Sequence, residues 1–245
     1  MNFDYLRAIP IGMFALCCAG NGPLRAGLPA DDAVVRGVVK LEGTVPQPNH
    51  FDMGGDPQCA KLHPTGATAE DILTDGNGGL QNVIVFVSAG LGDRTFDPPK
   101  DAAIIEQNGC MYQPHVVALE VNQKLQVVNS DTTTHTVHIL PVNNPPWDKP
   151  QPPGPPIEVT FSREEVAIPV KCDLHPWMRG YIAVFKHPYF AVTGSNGSFE
   201  LKNLPQGTYT IQTWHEKLGT ATQEITIGAS ETKTLQFVLK PKPGS

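Results

Sequence analysis

The stretch Cys172-Asp173-Leu174-His175-Pro176-Trp177-Met178 places a thiolate, an imidazole and a thioether within seven positions. Upstream, Asn129-Ser-Asp-Thr-Thr-Thr-His135 offers a second imidazole between two strand-like runs. One Cys, two His and a Met form the donor set of a copper site that cycles between Cu(I) and Cu(II): a trigonal His₂Cys plane with a weak axial thioether. Soft sulfur suits Cu(I), and imidazole serves both states. The pattern assigns His135, Cys172, His175 and Met178 as metal ligands and copper as the cofactor. Cys172 follows the strand signal Val166-Ala-Ile-Pro-Val170, so the ligand loop belongs at the end of a sheet. Pro176 stiffens the turn between His175 and Met178.

Two rivals are weaker. His138 stands three positions from His135, and strand residues three apart point to opposite faces, so only one can reach a shared metal. His135 adjoins the turn and is the better placed. Zinc sites built on a Cys-x-x-His pair usually add a second Cys/His doublet at short spacing. This chain has none, and zinc has no use for the methionine. With Cys172 on a metal, Cys59 and Cys110 are free to form one disulfide in an oxidising compartment. Two inert buried thiols are the plain alternative, and a second metal site with His115 is another.

The 245 residues hold 24 Pro and 23 Gly, which suits many short strands joined by turns. Strand signals include the alternating run Val34–Pro46 that ends in a turn, the unbroken apolar run Val83–Val87, Ala102–Glu106, Val116–Val121, Lys124–Val128, Thr136–Leu140, Val166–Val170 and Tyr181–Phe185. No long stretch has helical periodicity, so the expected class is all-β, built of antiparallel sandwiches. Residues 141–156 contain eight prolines and are expected to form an extended surface loop. Asn196-Gly197 between strand signals predicts a hairpin. Trp214-His-Glu reads either as an exposed strand end or as a second polar site.

The formal charge of −6, with no basic run, argues against nucleic acid or an anionic membrane as partner. Residues 1–30 carry Arg7, a short apolar core from Ala8 to Gly20 and small residues at Ala19, Ala26 and Ala30. They predict a secretory leader, hence a periplasmic or secreted protein with no transmembrane span in its mature form. Cys17 and Cys18 fit a lipid-anchor cleavage site poorly.

The run Cys172-Asp-Leu-His-Pro-Trp-Met-Arg-Gly-Tyr-Ile-Ala-Val184 resembles the ligand loop of the cupredoxins, in particular the short loop of the amicyanins. The segment from Tyr112-Gln-Pro-His-Val to Asn129-Ser-Asp-Thr-Thr-Thr-His-Thr-Val-His138 is similar to the cupredoxin run bearing the first His ligand. The resemblance covers roughly residues 100–186 and implies a Greek-key β-sandwich with one type 1 copper. It also implies the ligand roles of His135, Cys172, His175 and Met178. Family members often have Asn after the first His; Thr136 stands here, with a hydroxyl able to replace it. Asn196-Gly-Ser-Phe-Glu-Leu-Lys-Asn-Leu-Pro-Gln-Gly-Thr-Tyr-Thr-Ile211 resembles the second half of a carboxypeptidase regulatory-like, transthyretin-like sandwich, and Gly37–Val45 with Val83–Val87 resembles its first half. The expected organisation is a leader (1–30), an N-terminal β segment (31–98), a cupredoxin domain (99–187) and a transthyretin-like segment (188–241).

The expected function is one-electron transfer as an exported copper carrier, with a transient redox partner docking on an exposed His175 edge rimmed by Pro176 and Trp177. A copper-delivery protein and a cell-surface interaction module are the alternatives. Copper oxidases need further His clusters such as His-x-His, and these are missing, so an enzyme is not expected.

Overall fold

The computed structural model describes residues 33–241 and Met1, so the expected leader lies outside the described residues apart from its first position. The strands among them run in chain order as β1 (Ala33–Leu41), β2 (His50–Phe51), β3 (Ala67–Thr68), β4 (Ile84–Ala89), β5 (Ala103–Gln107) and β6 (Tyr112–Gln113). They continue as β7 (Val116–Glu120), β8 (Lys124–Asn129), β9 (His135–Ile139), β10 (Trp147–Gln151), β11 (Ile157–Thr160) and β12 (Glu165–Lys171). The last six are β13 (Arg179–Phe185), β14 (Phe190–Val192), β15 (Ser198–Leu204), β16 (Gly207–His215), β17 (Gly219–Ile227) and β18 (Thr232–Leu239). One short helix, α1 (Pro57–Leu62), sits between β2 and β3.

The first sandwich packs the sheet β10-β9-β12-β13-β7 on the sheet β11-β8-β5-β6. Its Greek-key crossings are the pairings of sequence-distant strands: β9 with β12 antiparallel, β7 with β13 and β5 with β8 parallel. Alternation makes the core. Along β9, His135, Val137 and Ile139 point inward while Thr136 and His138 face out. They meet Ile105, Leu119, Leu125, Val127, Ile168 and Ile182 from both sheets.

The second sandwich packs β15-β1-β18 on β14-β4-β16-β17. Strands β1 and β4 precede the first sandwich and β14 to β18 follow it, so the first is inserted into the second. Val35, Val39, Val85, Leu201, Tyr209, Ile211 and Phe237 form its core. The unbroken run Val83–Val87 now has a cause. Val83, Val85 and Val87 face this core, whereas Ile84 and Phe86 face outward against Val116, Ala183 and Phe185 of the first sandwich. A strand buried on both faces needs apolar residues at every position.

Four local expectations are corrected. Residues 50–68, N-terminal to position 99, send Met53, Cys59 and Ala67 into the core of the first sandwich. The proline-rich stretch includes β10, which pairs with β9 and places Pro150 opposite Thr136. That strand lies at the edge of its sheet, where a missing N–H breaks no ladder. The Asn196-Gly197 turn closes with Gly197 N–H donating to the Gly194 carbonyl at 2.9 Å, but it is no hairpin. Strands β14 and β15 belong to opposite sheets, paired with β4 and β1. The same turn chemistry serves an arch between sheets as well as a hairpin. Finally, the end of β16 is not exposed. His215 is buried, and Glu216 pairs with His115 across the two sandwiches.

Candidate metal centre

Both segments that carry the candidate ligands are fixed by local hydrogen bonds. In residues 129–135, Asn129 accepts the Asp131 N–H at 3.0 Å, and its amide donates to the carbonyls of Thr133 and Gln151, each at 2.9 Å. This Asx-type turn delivers His135 to the first position of β9. In the second segment, Met178 N–H donates to the His175 carbonyl at 2.9 Å, and Cys172 N–H donates to the Met178 carbonyl at 3.1 Å. The loop is thus pinched shut at its neck between β12 and β13. Tyr112 braces the two segments from behind, donating from its hydroxyl to the carbonyls of Thr136 at 3.0 Å and Lys171 at 3.2 Å.

The side chains converge. His135 Nδ1 and His175 Nδ1 are 2.9 Å apart, and Cys172 Sγ is 3.5 Å from His175 Nδ1. One ring nitrogen from each histidine and the sulfur lie mutually within 4.8 Å. Met178 is buried in the same cluster as Cys172. His138 stays outside, half-buried, with Nδ1 2.8 Å from Asp173 Oδ2. Thr136, standing in the position often held by Asn, accepts the Asp173 N–H at 2.6 Å. Its backbone N–H and its hydroxyl donate to Cys172 Sγ at 3.3 and 3.6 Å. The hydroxyl therefore ties the two ligand segments together. Cys59 and Cys110 are joined by a 2.04 Å S–S bond, so neither thiolate is available for a second metal site with His115.

The outward nitrogens of both rings rest on carboxylates. His135 Nε2 is 3.0 Å from Asp131 Oδ2, and His175 Nε2 is 3.1 Å from Asp56 Oδ2. Asp131 is itself held by the N–H groups of Gly109 and Cys110 at 2.7 and 2.8 Å. Neither aspartate was singled out by the sequence reading. Asp131 stands four before His135 in a turn, a local signal, whereas Asp56 is 119 residues from His175 and offers none.

This arrangement tests whether the residues fit a metal. A carboxylate accepts from Nε2–H, which fixes the tautomer and leaves a lone pair on each Nδ1. Two such nitrogens 2.9 Å apart, beside a sulfur, must share either a proton or a metal ion. The electrostatics agree. Burial pushes the Cys172 thiol up, but hydrogen bonds from His135, Thr136 and the His175 backbone outweigh it and lower it to about 6. Burial pushes the His135 imidazole down, yet Asp131 and Cys172 outweigh it and raise it to about 8. Burial likewise opposes ionisation of Asp56, but His175 and the backbone N–H groups of Cys59 and Gln58 bring it to about 2. The pocket stabilises a thiolate beside a positive charge, and a donor set of two imidazoles, thiolate and thioether suits copper.

One expectation fails. The His175 edge is not exposed: His135, Cys172, His175 and Met178 are 0%, 2%, 3% and 0% accessible. Residues 50–68 reach the ligand loop through Asp56, whose Oδ2 lies 3.1 Å from His175 Nε2. Leu174 and Pro176 remain exposed, and the half-buried Trp177 ring lies 5.2 Å from that of His175.

The family model for the carboxypeptidase regulatory-like domain matches residues 182–240, from within β13 through β18. No curated protein matches the chain. Among solved structures, a purple cupredoxin from Nitrosopumilus maritimus is 23% identical, with 34% of this chain and 98% of that one covered, at a TM-score of 0.29. A Cu-containing nitrite reductase from Thermus scotoductus is 21% identical over 41% of this chain and 25% of its own, at 0.33. A reduced amicyanin is 16% identical over 41% of this chain and 97% of its own, at 0.32. The chain is all-β, with one sandwich inserted into another and closing strands that match a carboxypeptidase regulatory-like domain.

Proposed function

We propose that the protein is an exported type 1 copper protein that carries one electron at a time, with His135, Cys172, His175 and Met178 as ligands. The observation that carries this reading is the convergence of both Nδ1 atoms on Cys172 Sγ, with each Nε2 on a carboxylate. Copper bound there supplies a one-electron couple. Asp131 and Asp56 orient the rings, Thr136 donates two hydrogen bonds to the sulfur, and burial excludes water and exogenous ligands. A rigid and dry donor set changes little between oxidation states, which is what rapid transfer requires.

Closure of the site weighs against the copper-delivery alternative, since exchange would need residues 50–68 to lift. With the His175 edge covered, the exposed apolar rim of Leu174 and Pro176 beside Trp177 is the surface offered to a transient redox partner. In this reading the inserted sandwich is residues 99–187 together with the covering segment 50–68, and the leader-like residues 1–30 support export.

The test is an absorption and paramagnetic-resonance spectrum of the copper-loaded, leader-free protein. An intense visible band from sulfur-to-copper charge transfer is expected and should vanish in Cys172→Ser. Stoichiometric copper uptake with no such band would refute the reading.

A further inference from the structure

Residues 50–68 belong by sequence to the N-terminal β segment, yet they close the metal centre of the inserted sandwich. Asp56 is their point of contact, and its two oxygens have separate tasks. Oδ1 caps α1, accepting the N–H groups of Gln58 at 2.7 Å and Cys59 at 3.2 Å. Oδ2 reaches across to the ligand segments, accepting from Thr133 Oγ1 at 3.0 Å and lying 3.1 Å from His175 Nε2. The carboxylate is therefore aimed by its own helix. That helix is pinned through Cys59 to Cys110, whose N–H holds Asp131, the carboxylate on the other ligand ring. One disulfide braces both outer carboxylates.

Resting on the copper reading above, we propose that Asp56 is a positioning residue for the metal centre: it holds the His175 ring with Nδ1 turned inward and lowers the reduction potential of the bound copper. The physical basis is twofold. A carboxylate that accepts from the far nitrogen makes the imidazole a more basic ligand. A fixed negative charge next to the ligand shell favours Cu(II) over Cu(I), and the partly exposed Asp56 carboxylate keeps that effect although solvent screens part of it.

The test compares the copper-loaded wild type with D56N and D56S. Asn and Ser both remain good N-caps, so α1 keeps its start in either variant. The charge is lost in D56N, and in D56S the side chain is too short to reach His175. Loss of the outer carboxylate is expected to reduce the Cu(II)/Cu(I) affinity ratio about tenfold, a rise in midpoint potential of about 59 mV for one electron. The sulfur-to-copper band should persist in both. As a reading that needs no variant, the Cu(I) wild type should show a slowly exchanging Nε2–H resonance for His175 by NMR.

An unchanged potential in variants that keep the band, or a His175 ring proton exchanging as fast as that of exposed His50, overturns the role of Asp56 while leaving the copper reading intact. Absence of the band in the wild type overturns the copper reading and this inference with it. If D56N and D56S fail to fold, the NMR measurement on the wild type decides.

Discussion

Glu165, at the head of β12, shows how one buried carboxylate organises a loop rather than a metal. It accepts from the backbone N–H groups of Val142 and Asn143 and from the Asn144 amide, while Asn144 in turn accepts the Arg163 N–H. Burial pushes the Glu165 carboxyl up, but these donors outweigh it and hold it below the usual glutamate range. A folded-state value below the unfolded one means the stabilisation is fully present above about pH 4.3 and is lost as the pH falls through the folded value. Glu165→Gln should lower stability by about 2 kcal/mol at neutral pH and flatten the decline below pH 4.3. Urea midpoints measured from pH 3 to 7 check both effects. In sequence, Glu164-Glu165 is only a pair of adjacent charges. The three donors that bury Glu165 come from a loop more than twenty residues upstream, which local pattern does not disclose.

At the scale of elements, β1 is the keystone of the second sandwich. It lies between β15, antiparallel, and β18, parallel. A Cβ built on Gly37 would lie 2.0 Å from the Leu235 carbonyl oxygen, so a neighbouring backbone must move to admit any side chain. Gly37→Ala is expected to destabilise the protein by about 3 kcal/mol, as in an overpacked core, and a denaturation curve reads it directly. An unchanged midpoint would mean that the two strands are free to separate. Most strands were legible from alternation, because a half-buried strand repeats every second residue. The double burial of β4 was legible as an unbroken apolar run, although not which partner covered each face. Helix α1 was missed because six residues are too short to show a period. Its one signal, Asp56 before Pro57, is an N-cap followed by a proline at the first helical position.

For the whole molecule, the Cys59–Cys110 bond joins the segment over the candidate metal centre to the first sandwich across 51 residues of sequence. Closing a loop of that length in the unfolded chain corresponds to about 4 kcal/mol in the chain-entropy account. Replacing both cysteines by Ser should lower stability by roughly 2–4 kcal/mol, measured by chemical denaturation under non-reducing conditions. No change would mean that residues 50–68 are held by packing alone. The two sandwiches are joined by a second seam. Ile84 and Phe86 pack on Val116, Ala183 and Phe185, and Glu216 of one sandwich pairs with His115 of the other. Insertion has therefore produced an assembly in which the N-terminal segment serves both halves.

The strand-rich class was legible in the sequence alone, as were His135, Cys172, His175 and Met178 as candidate ligands. Ligand chemistry depends on residue type and on short spacings within one loop, and strand burial follows a local period. That Asp56 covers His175, that Asn196-Gly197 turns between sheets, and that His215 and Glu216 are enclosed came from the folded arrangement. Each of these depends on which distant segments come to share a surface. A carboxylate carries no mark, in its own neighbourhood, of the imidazole it will meet 119 positions away.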